Sequence, residues 1–348
     1  MKLGVVPDNL IERLALLTGL LPPGIFERWF GIMLARTIMV GTKLDIFEAL
    51  ASQPLTVAEV AKRCGTHLRG TEKLLNALVG LECLCVKGER YALRRSLRAW
   101  ILKDGKYSFR DQILLHFQEW NWWEHCEEYV RTGEPLRVHT TMNDEEWGVY
   151  QRGMRSGIEM PADQIAKHLS LPRTARQMLD IGGSHGYFSV AICRRHPQLR
   201  STILDLPEAI KHAAPLLAKE GMGDRIVYRP GNVLSDDLGT AVYDLVFLAS
   251  VVHHFDEATN SELIRRIARA LSPGGVVAIW EPMRQDRTGK IRQLGGLMDL
   301  FFGFFSAAGT WSSAEVAGWF RGAGLQVQKA WSPRLMPDLA LHVGRKPA

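Results

Sequence analysis

The segment MLDIGGSHG at 178–186 narrows the fold of this chain more than any other stretch. An apolar run ends in Asp180, turns on Gly182 and Gly183, and passes through Gly186 into a helical stretch from Tyr187 to Arg195. A second apolar run, 201–206, carries Asp205 near its end. That order is a βαβ unit with a nucleoside site at the carboxyl ends of its strands, and it sets the fold class as α/β with a Rossmann-like sheet. Glycines let the backbone approach a ligand closely, and an acid at the next strand tip accepts hydrogen bonds from both ribose hydroxyls.

The spacing bears on which nucleoside. A dinucleotide loop needs G-x-G-x-x-G, where the helix N-terminus receives a pyrophosphate. Here the glycines stand at 182, 183 and 186 with Asp180 in front. S-adenosylmethionine has no phosphate, so its loop tolerates an acid that holds the amino end of methionine. A βα turn in an unrelated α/β domain has the same local look. Asp205, about twenty residues after the loop, favours the cofactor reading because a ribose acid belongs there.

The chain has 348 residues, long for one core and suited to two domains. Lys and Arg exceed Asp and Glu, 43 to 37, but the excess is spread in short pairs such as Arg94–Arg95 and Arg265–Arg266. Dedicated nucleic-acid binders gather that charge in a patch. A mild preference for anionic substrates is what remains. Five cysteines, with no leader pattern, fit reduced thiols in a cytoplasm. Cys83 and Cys85 form a C-x-C, but no second pair has zinc spacing, so no metal is expected. No uncharged apolar stretch reaches the ~18 residues of a membrane span, and the run 297–308 is short and contains Asp299.

Residues 1–106 are expected to form a helical arm and a small helical domain, 107–170 a helical bridge contributing to a substrate pocket, and 171–348 the cofactor-binding catalytic domain. The arm, 1–30, is apolar and broken by Pro22 and Pro23. Apolar periodicity predicts a helix from Ile32 to Leu50. Thr56 and Glu59 form a capping box that opens a second helix, and Leu68 to Leu81 gives a third. Cys83 to Leu93 reads as a hairpin around Lys87 and Gly88. Three helices and a hairpin make a winged helix. A DNA reader carries basic side chains on its third helix, but here Arg69 and Lys73 are followed by Leu74, Leu75, Ala77, Leu78 and Val79, which suits dimerisation instead.

From residue 177 the βα alternation is regular. Strands are expected near 178–182, 201–206, 226–230, 243–249 and 276–281, and helices near 187–196, 207–220, 258–271 and 313–322. Ser272–Gly275 is expected as a turn ending the helix before the fifth strand, and 325–331 and 338–344 as an antiparallel edge.

With GNVL at 231–234 and SVVHHFD at 250–256 added, the C-terminal half resembles the class I S-adenosylmethionine-dependent methyltransferases. TKLDIFEAL at 42–50, LTVAEVA at 55–61 and TEKLLNALVGL at 71–81 look like the dimerisation domain of the small-molecule O-methyltransferases, the family of plant caffeate, acetylserotonin and bacterial tailoring enzymes. The resemblance runs from about Ile32 to the C-terminus. It implies a seven-stranded methyltransferase sheet, an N-terminal winged-helix dimerisation domain, a homodimer, a small-molecule acceptor, and S-adenosylmethionine as methyl donor with S-adenosylhomocysteine as product.

Carried over residue by residue, the family's His-Asp-Trp triplet falls on His253, His254 and Phe255, making His253 the general base and placing His254 at the substrate. His-His-Phe is also found in methyltransferases that use no such base. Glu281 matches the acid that orients the base, although a strand-end acid can simply face solvent. The family's second acid falls at Thr310 and is missing. Gly182, Gly183, Gly186 and Asp180 match the cofactor loop, with Ser184 in place of its middle glycine. Asp205 and Leu206 match the ribose and adenine contacts, and Asn232 and Val233 the adenine pair, the Asn232 carbonyl oxygen meeting the exocyclic amine. Ser250 completes the cofactor set, while a family lysine has become Ala249. Tyr150 and Met154 match an aromatic-x-x-x-Met pair at the substrate, and Met298, Asp299, Phe302 and Trp123 are expected in the same wall, with Trp120, Phe305 and Trp311 as further aromatic candidates.

Three readings stay open on the sequence. The first is O-methylation with His253 as base. The second is S-, N- or C-methylation by proximity alone. The third is a DNA-binding regulator with a vestigial cofactor domain, against which the intact glycine loop and Asp205 speak.

Overall fold

The computed structural model describes residues 4–284, 291–306, 308–334 and 336–348. Residues 1–3 of the expected arm and Ala307 of the run 297–308 lie outside the described residues. The chain divides into two compact units, Met1–Phe117 and Gln118–Ala348.

In the first unit, α1 (Leu10–Leu17) and α2 (Pro23–Lys43) are followed by α3 (Ile46–Ala49), α4 (Val57–Cys64), α5 (Leu68–Gly80), the hairpin β1 (Leu84–Lys87) and β2 (Arg90–Leu93), and α6 (Arg98–Ile101). The periodic stretch 32–50 is therefore two helices. The chain turns at Asp45, whose φ of 55° is left-handed, a conformation that a short polar side chain tolerates. The capping box at Thr56 is complete: Glu59 N donates to Thr56 Oγ1 at 3.3 Å, and Thr56 N to Glu59 Oε2 at 2.7 Å.

Ile46, Phe47, Leu50, Leu55, Val60, Leu75, Leu78 and Leu84 form this unit's core. Leu75 and Leu78 thus serve the subunit's own interior. The apolar surface that is exposed lies instead on α1 and α2, at Leu10, Ile11, Leu17, Trp29 and Phe30, each more than half exposed.

α7 (Arg110–Trp123) crosses the division between the units. It is followed by α8 (Cys126–Thr132), α9 (Val138–Thr141), α10 (Asp144–Arg155) and α11 (Glu159–His168). A capping box between Asn143 and Glu146 starts α10.

The sheet of the second unit comprises β3 (Gln177–Ile181), β4 (Arg200–Asp205), β5 (Ile226–Pro230), β6 (Tyr243–Ala249), β7 (Leu271–Pro282), β8 (Gln326–Val327) and β9 (Leu339–Arg345), in the order β5-β4-β3-β6-β7-β9-β8. The first five pair in parallel, and β9 runs antiparallel to both β7 and β8. Around the strands lie α12 (Tyr187–Arg195), α13 (Pro207–Ala218), α14 (Glu257–Ala270), α15 (Gln293–Phe305) and α16 (Ser313–Gly322).

The central strands are apolar along their length because both faces are covered: Met178, Leu179, Leu245, Val246, Phe247, Leu248 and Val276–Ile279 are almost fully buried in two core clusters. β7 begins earlier than expected. The stretch 272–275 is a bulge inside it, where pairing jumps from Tyr243–Leu271 to Leu245–Val276. Chain order reverses between β3 and β6, and that switch point opens a crevice at the strands' carboxyl ends.

Candidate active site

A cavity of about 380 Å³ lies at the switch point. Its floor is made by the ends of β3, β4 and β6 and the loops that follow: Gly182, Gly183, Ser184, Asp205, Leu206, Ser250 and Val251. Asn232 and Val233 close one side. Its other wall comes from α9, α10 and α15, with His139, Trp147, Tyr150, Met154, Phe305 and Ser306, together with His254.

Asp205 is held by two backbone donors, Ser184 N to Oδ2 at 2.7 Å and Leu206 N to Oδ1 at 2.7 Å. Each oxygen keeps a lone pair for a further donor. Burial pushes this carboxyl up to about 6. Ser184, left-handed at φ 50°, is tied on three sides: its N–H to Asp205, its Oγ to Gln151 Oε1 at 2.5 Å, and its carbonyl to the Tyr228 hydroxyl at 2.8 Å. A Cβ at Gly183 would stand 2.6 Å from Asp180 Cγ and 2.9 Å from Ile203 Cγ2, so only glycine fits there. This rigid loop beside an acid with free lone pairs fits the nucleoside and methionine of S-adenosylmethionine.

Asp180 itself sits beneath the loop and off the cavity wall. Its Oδ2 accepts from Ser189 Oγ at 2.6 Å, its Oδ1 is buried without a partner, and burial pushes it up to about 7. Gly186 likewise shapes the turn without lining the cavity: it is left-handed and caps α12. Asn232 Oδ1 accepts from Leu234 N at 2.9 Å, so the oxygen expected at the adenine amine already closes a local turn.

His253 and Glu281 are brought together as a buried pair. Glu281 Oε2 lies 2.9 Å from His253 Nδ1, while Oε1 accepts from Val251 N at 2.5 Å and Val252 N at 2.9 Å. Glu281 is only 2% exposed, which rules out a strand-end acid facing solvent. The His253 ring stacks on Phe302 at 3.6 Å between centroids and meets His254 at 4.1 Å. His254 lines the cavity and His253 does not.

His254 Nδ1 pairs with Ser306 Oγ at 2.6 Å. Burial, then the neighbouring His253 and His139, hold its pKa well below the ordinary histidine value. His139 stands edge-on to His254, and its Nε2 lies 3.1 Å from the Tyr150 hydroxyl. Burial lowers His139 to about 4 and raises Tyr150 above its usual range.

The sequence reading missed His139, Trp147 and Ser306. Their signal was weak, because they lie on or just after three different helices with no fixed spacing to the glycine loop. Of the residues it expected in the substrate wall, Tyr150, Met154, His254 and Phe305 line the cavity. Phe302 lies behind, against His253, and Trp123 packs on Phe301 and Phe304. Asp299 Oδ1 accepts from Thr310 N and Thr310 Oγ1, both at 2.7 Å, and Met298 is on the same helix outside the cavity lining. Among the described residues no group of His, Cys, Asp or Glu could hold a metal ion, and no helix is long and apolar enough to cross a membrane.

Two family models match the chain: the O-methyltransferase domain over residues 125–325 and the O-methyltransferase dimerisation domain over residues 26–100. The 3-hydroxy-5-methyl-1-naphthoate 3-O-methyltransferase of Streptomyces sahachiroi is 27% identical over 84% of this chain and 86% of its own length. The tetracenomycin polyketide synthesis 8-O-methyl transferase TcmO of Streptomyces glaucescens is 28% identical over 94% and 97%. The fold is shared with human N-acetylserotonin methyltransferase, solved in complex with S-adenosylmethionine, at a TM-score of 0.83 and 19% identity over 99% of this chain and 100% of that one. The α/β unit with its switch-point cavity, and the dimerisation domain before it, belong to one architecture: the chain is a member of the O-methyltransferase family of S-adenosylmethionine-dependent methyltransferases.

Proposed function

We propose that the protein transfers a methyl group to a hydroxyl of a small aromatic metabolite, with His253 as the general base. The observation that carries this reading is the His253–Glu281 pair. A carboxylate fixed by two backbone N–H groups holds the imidazole in one tautomer, protonated at Nδ1, and stabilises the imidazolium that forms when Nε2 takes a proton. His254 is nearer the cavity but has only a hydroxyl partner, and a histidine held so far toward its neutral form is a poor base. It serves as an acceptor contact.

Asp205, Ser184, Leu206, Asn232, Val233 and Ser250 would hold S-adenosylmethionine, which supplies an electrophilic methyl when bound. The aromatic wall then excludes water and aligns the acceptor, so that placement contributes alongside proton removal. The S. sahachiroi relative, named for methylating the 3-hydroxyl of a naphthoate, is in keeping with a planar acceptor.

The deciding experiment compares kcat and KM of wild type, His253→Ala, Glu281→Gln and His254→Ala on the first accepted hydroxy-arene. His253→Ala should lower kcat about 100-fold or more, Glu281→Gln should lower kcat with KM preserved, and His254→Ala should act chiefly on KM. A near-native kcat in His253→Ala rejects the base.

That outcome would favour base-free transfer to sulfur, nitrogen or carbon. One observation supports this second reading: Thr310 stands where a second acid is expected and is paired with Asp299, leaving His253 a single carboxylate.

The exposed apolar surface of α1 and α2 needs a cover. A second copy of the chain, joined through the dimerisation domain, supplies it. Light scattering should give a dimer at micromolar concentration, and a monomer there would refute the assignment.

A further inference from the structure

Two formally charged residues line the cavity among those described, Asp205 and the exposed Arg137. Asp205 is engaged by two backbone donors and by the ribose contact proposed above. Arg137 has no carboxylate partner among the described residues and is assigned no task by the mechanism. A guanidinium carries five N–H donors in a planar fork and does not deprotonate, so on a cavity wall it matches an anion, above all a carboxylate.

Its backbone position points the same way. Arg137 is left-handed, at φ 52° and ψ 53°, which is costly for a residue with a Cβ. The chain is pinned on both sides of it: Leu136 N donates to Phe304 O at 2.7 Å, Val138 is fully buried, and Thr140 N and Oγ1 donate to Arg137 O at 2.9 and 2.8 Å. Six non-glycine residues among those described have positive φ, and three of them, Arg137, Ser184 and Ser250, line this cavity. The other two belong to the strand-end loops that form the cofactor floor. Held strain of this kind gathers where a ligand is gripped.

We propose that Arg137 is the carboxylate-binding residue of the cavity, and that the acceptor is an aromatic hydroxy acid whose carboxylate it clamps. The assignment rests on the methyl-transfer reading and names its substrate class. The methionine end of the cofactor offers the same chemistry. The acceptor is favoured because Arg137 stands two residues before His139, whose ring meets Tyr150, His254 and Phe305, all on the wall opposite the glycine loop.

Calorimetry on the full-length protein separates the sources. With S-adenosylhomocysteine bound, a panel of hydroxybenzoates and hydroxynaphthoates is titrated beside the matching carboxamides. S-adenosylhomocysteine and 5′-methylthioadenosine, which lacks the carboxylate, are titrated alone. Wild type should bind at least one acid more tightly than its amide. In Arg137→Gln that acid should weaken by about 10–100-fold, the scale of a charged hydrogen bond, while the amide and both nucleosides keep their affinity. Arg137→Lys should restore part of the loss, since it returns the charge without the fork. If S-adenosylhomocysteine weakens in Arg137→Gln and methylthioadenosine does not, the carboxylate is the cofactor's and the acceptor assignment is overturned. If no acid outbinds its amide, or nothing weakens, Arg137 clamps no carboxylate. Every readout is binding, so loss of the carboxylate clamp here and failure of hydroxyl transfer in a separate assay are told apart.

Discussion

The two walls of the cavity are built differently. The proposed cofactor floor is backbone and strand ends: a left-handed Ser184, a Gly183 that admits no side chain, and one carboxylate held by two main-chain N–H groups. The proposed acceptor wall is side chains from discontinuous segments, with a chain of contacts from Tyr150 through His139 and His254 to Ser306. A floor made of main chain admits one ligand shape. A wall made of side chains can be re-cut by substitution while the fold stands, which is how one scaffold serves many acceptors.

The two walls also titrate in opposite senses. Asp205 is raised to about 6 in the folded protein from an ordinary value of 3.8. Its contribution to stability is therefore present below about pH 4 and lost as pH rises through about 6. His139 is lowered from 6.5 to about 4. Its contribution is present above about pH 6.5 and lost as pH falls through about 4.

The largest expected effect follows from that contrast. His139→Phe removes a group that must be charged in the unfolded chain but resists charging in the fold. Between pH 7 and pH 4 the wild type should lose on the order of 3 kcal/mol that the variant keeps, since each tenfold drop in proton affinity on folding is worth about 1.4 kcal/mol. Urea unfolding at both pH values measures it. An equal loss of stability in the two proteins would mean that the His139 ring stays solvated, and that the acceptor wall is wetter than it looks.

Asp205→Asn tests the floor. The cofactor's ribose should lose charge-assisted hydrogen bonds of about 1.5–3 kcal/mol, raising Kd for S-adenosylhomocysteine about 10–100-fold. In wild type the same affinity should weaken as pH falls below about 6, where the carboxyl becomes protonated. The variant should show little of that pH dependence. Unchanged affinity in Asp205→Asn would remove Asp205 from the cofactor site.

How much of this was legible in the sequence follows the same division. The parallel strands read as continuous apolar runs, because burial on both faces leaves no polar alternation, and the loop read from its glycines. The edge pair β8–β9 was visible too, with β8 shorter than expected because its pairing covers only Gln326 and Val327. Asp180 misled: an acid before a glycine loop looks like a ligand contact, yet Gly183 packs directly on its carboxylate, so that its hydrogen bond goes inward to Ser189. His139 and Arg137 were invisible, since a four-residue helix after an irregular stretch has no periodicity to read. The break at Asp45 was equally hidden, because one left-handed residue leaves the apolar pattern of 32–50 intact.

The smallest expected effect concerns Asp299, which family spacing placed in the substrate wall. In the structure its Oδ1 holds both the N–H and the hydroxyl of Thr310, and so ties α15 to the segment before α16. Asp299→Asn keeps an oxygen at that position and gives up only the charge on two hydrogen bonds. The expected cost is about 1 kcal/mol of stability or less, with acceptor KM within about twofold of wild type. If Asp299 touched the acceptor, the pattern would reverse: KM would move several-fold while the unfolding midpoint stayed in place. Measuring both in one variant decides whether this position belongs to the adaptable wall or to the frame behind it. The frame is the expected answer, because Asp299 lies outside the cavity lining and turns its Oδ1 to Thr310.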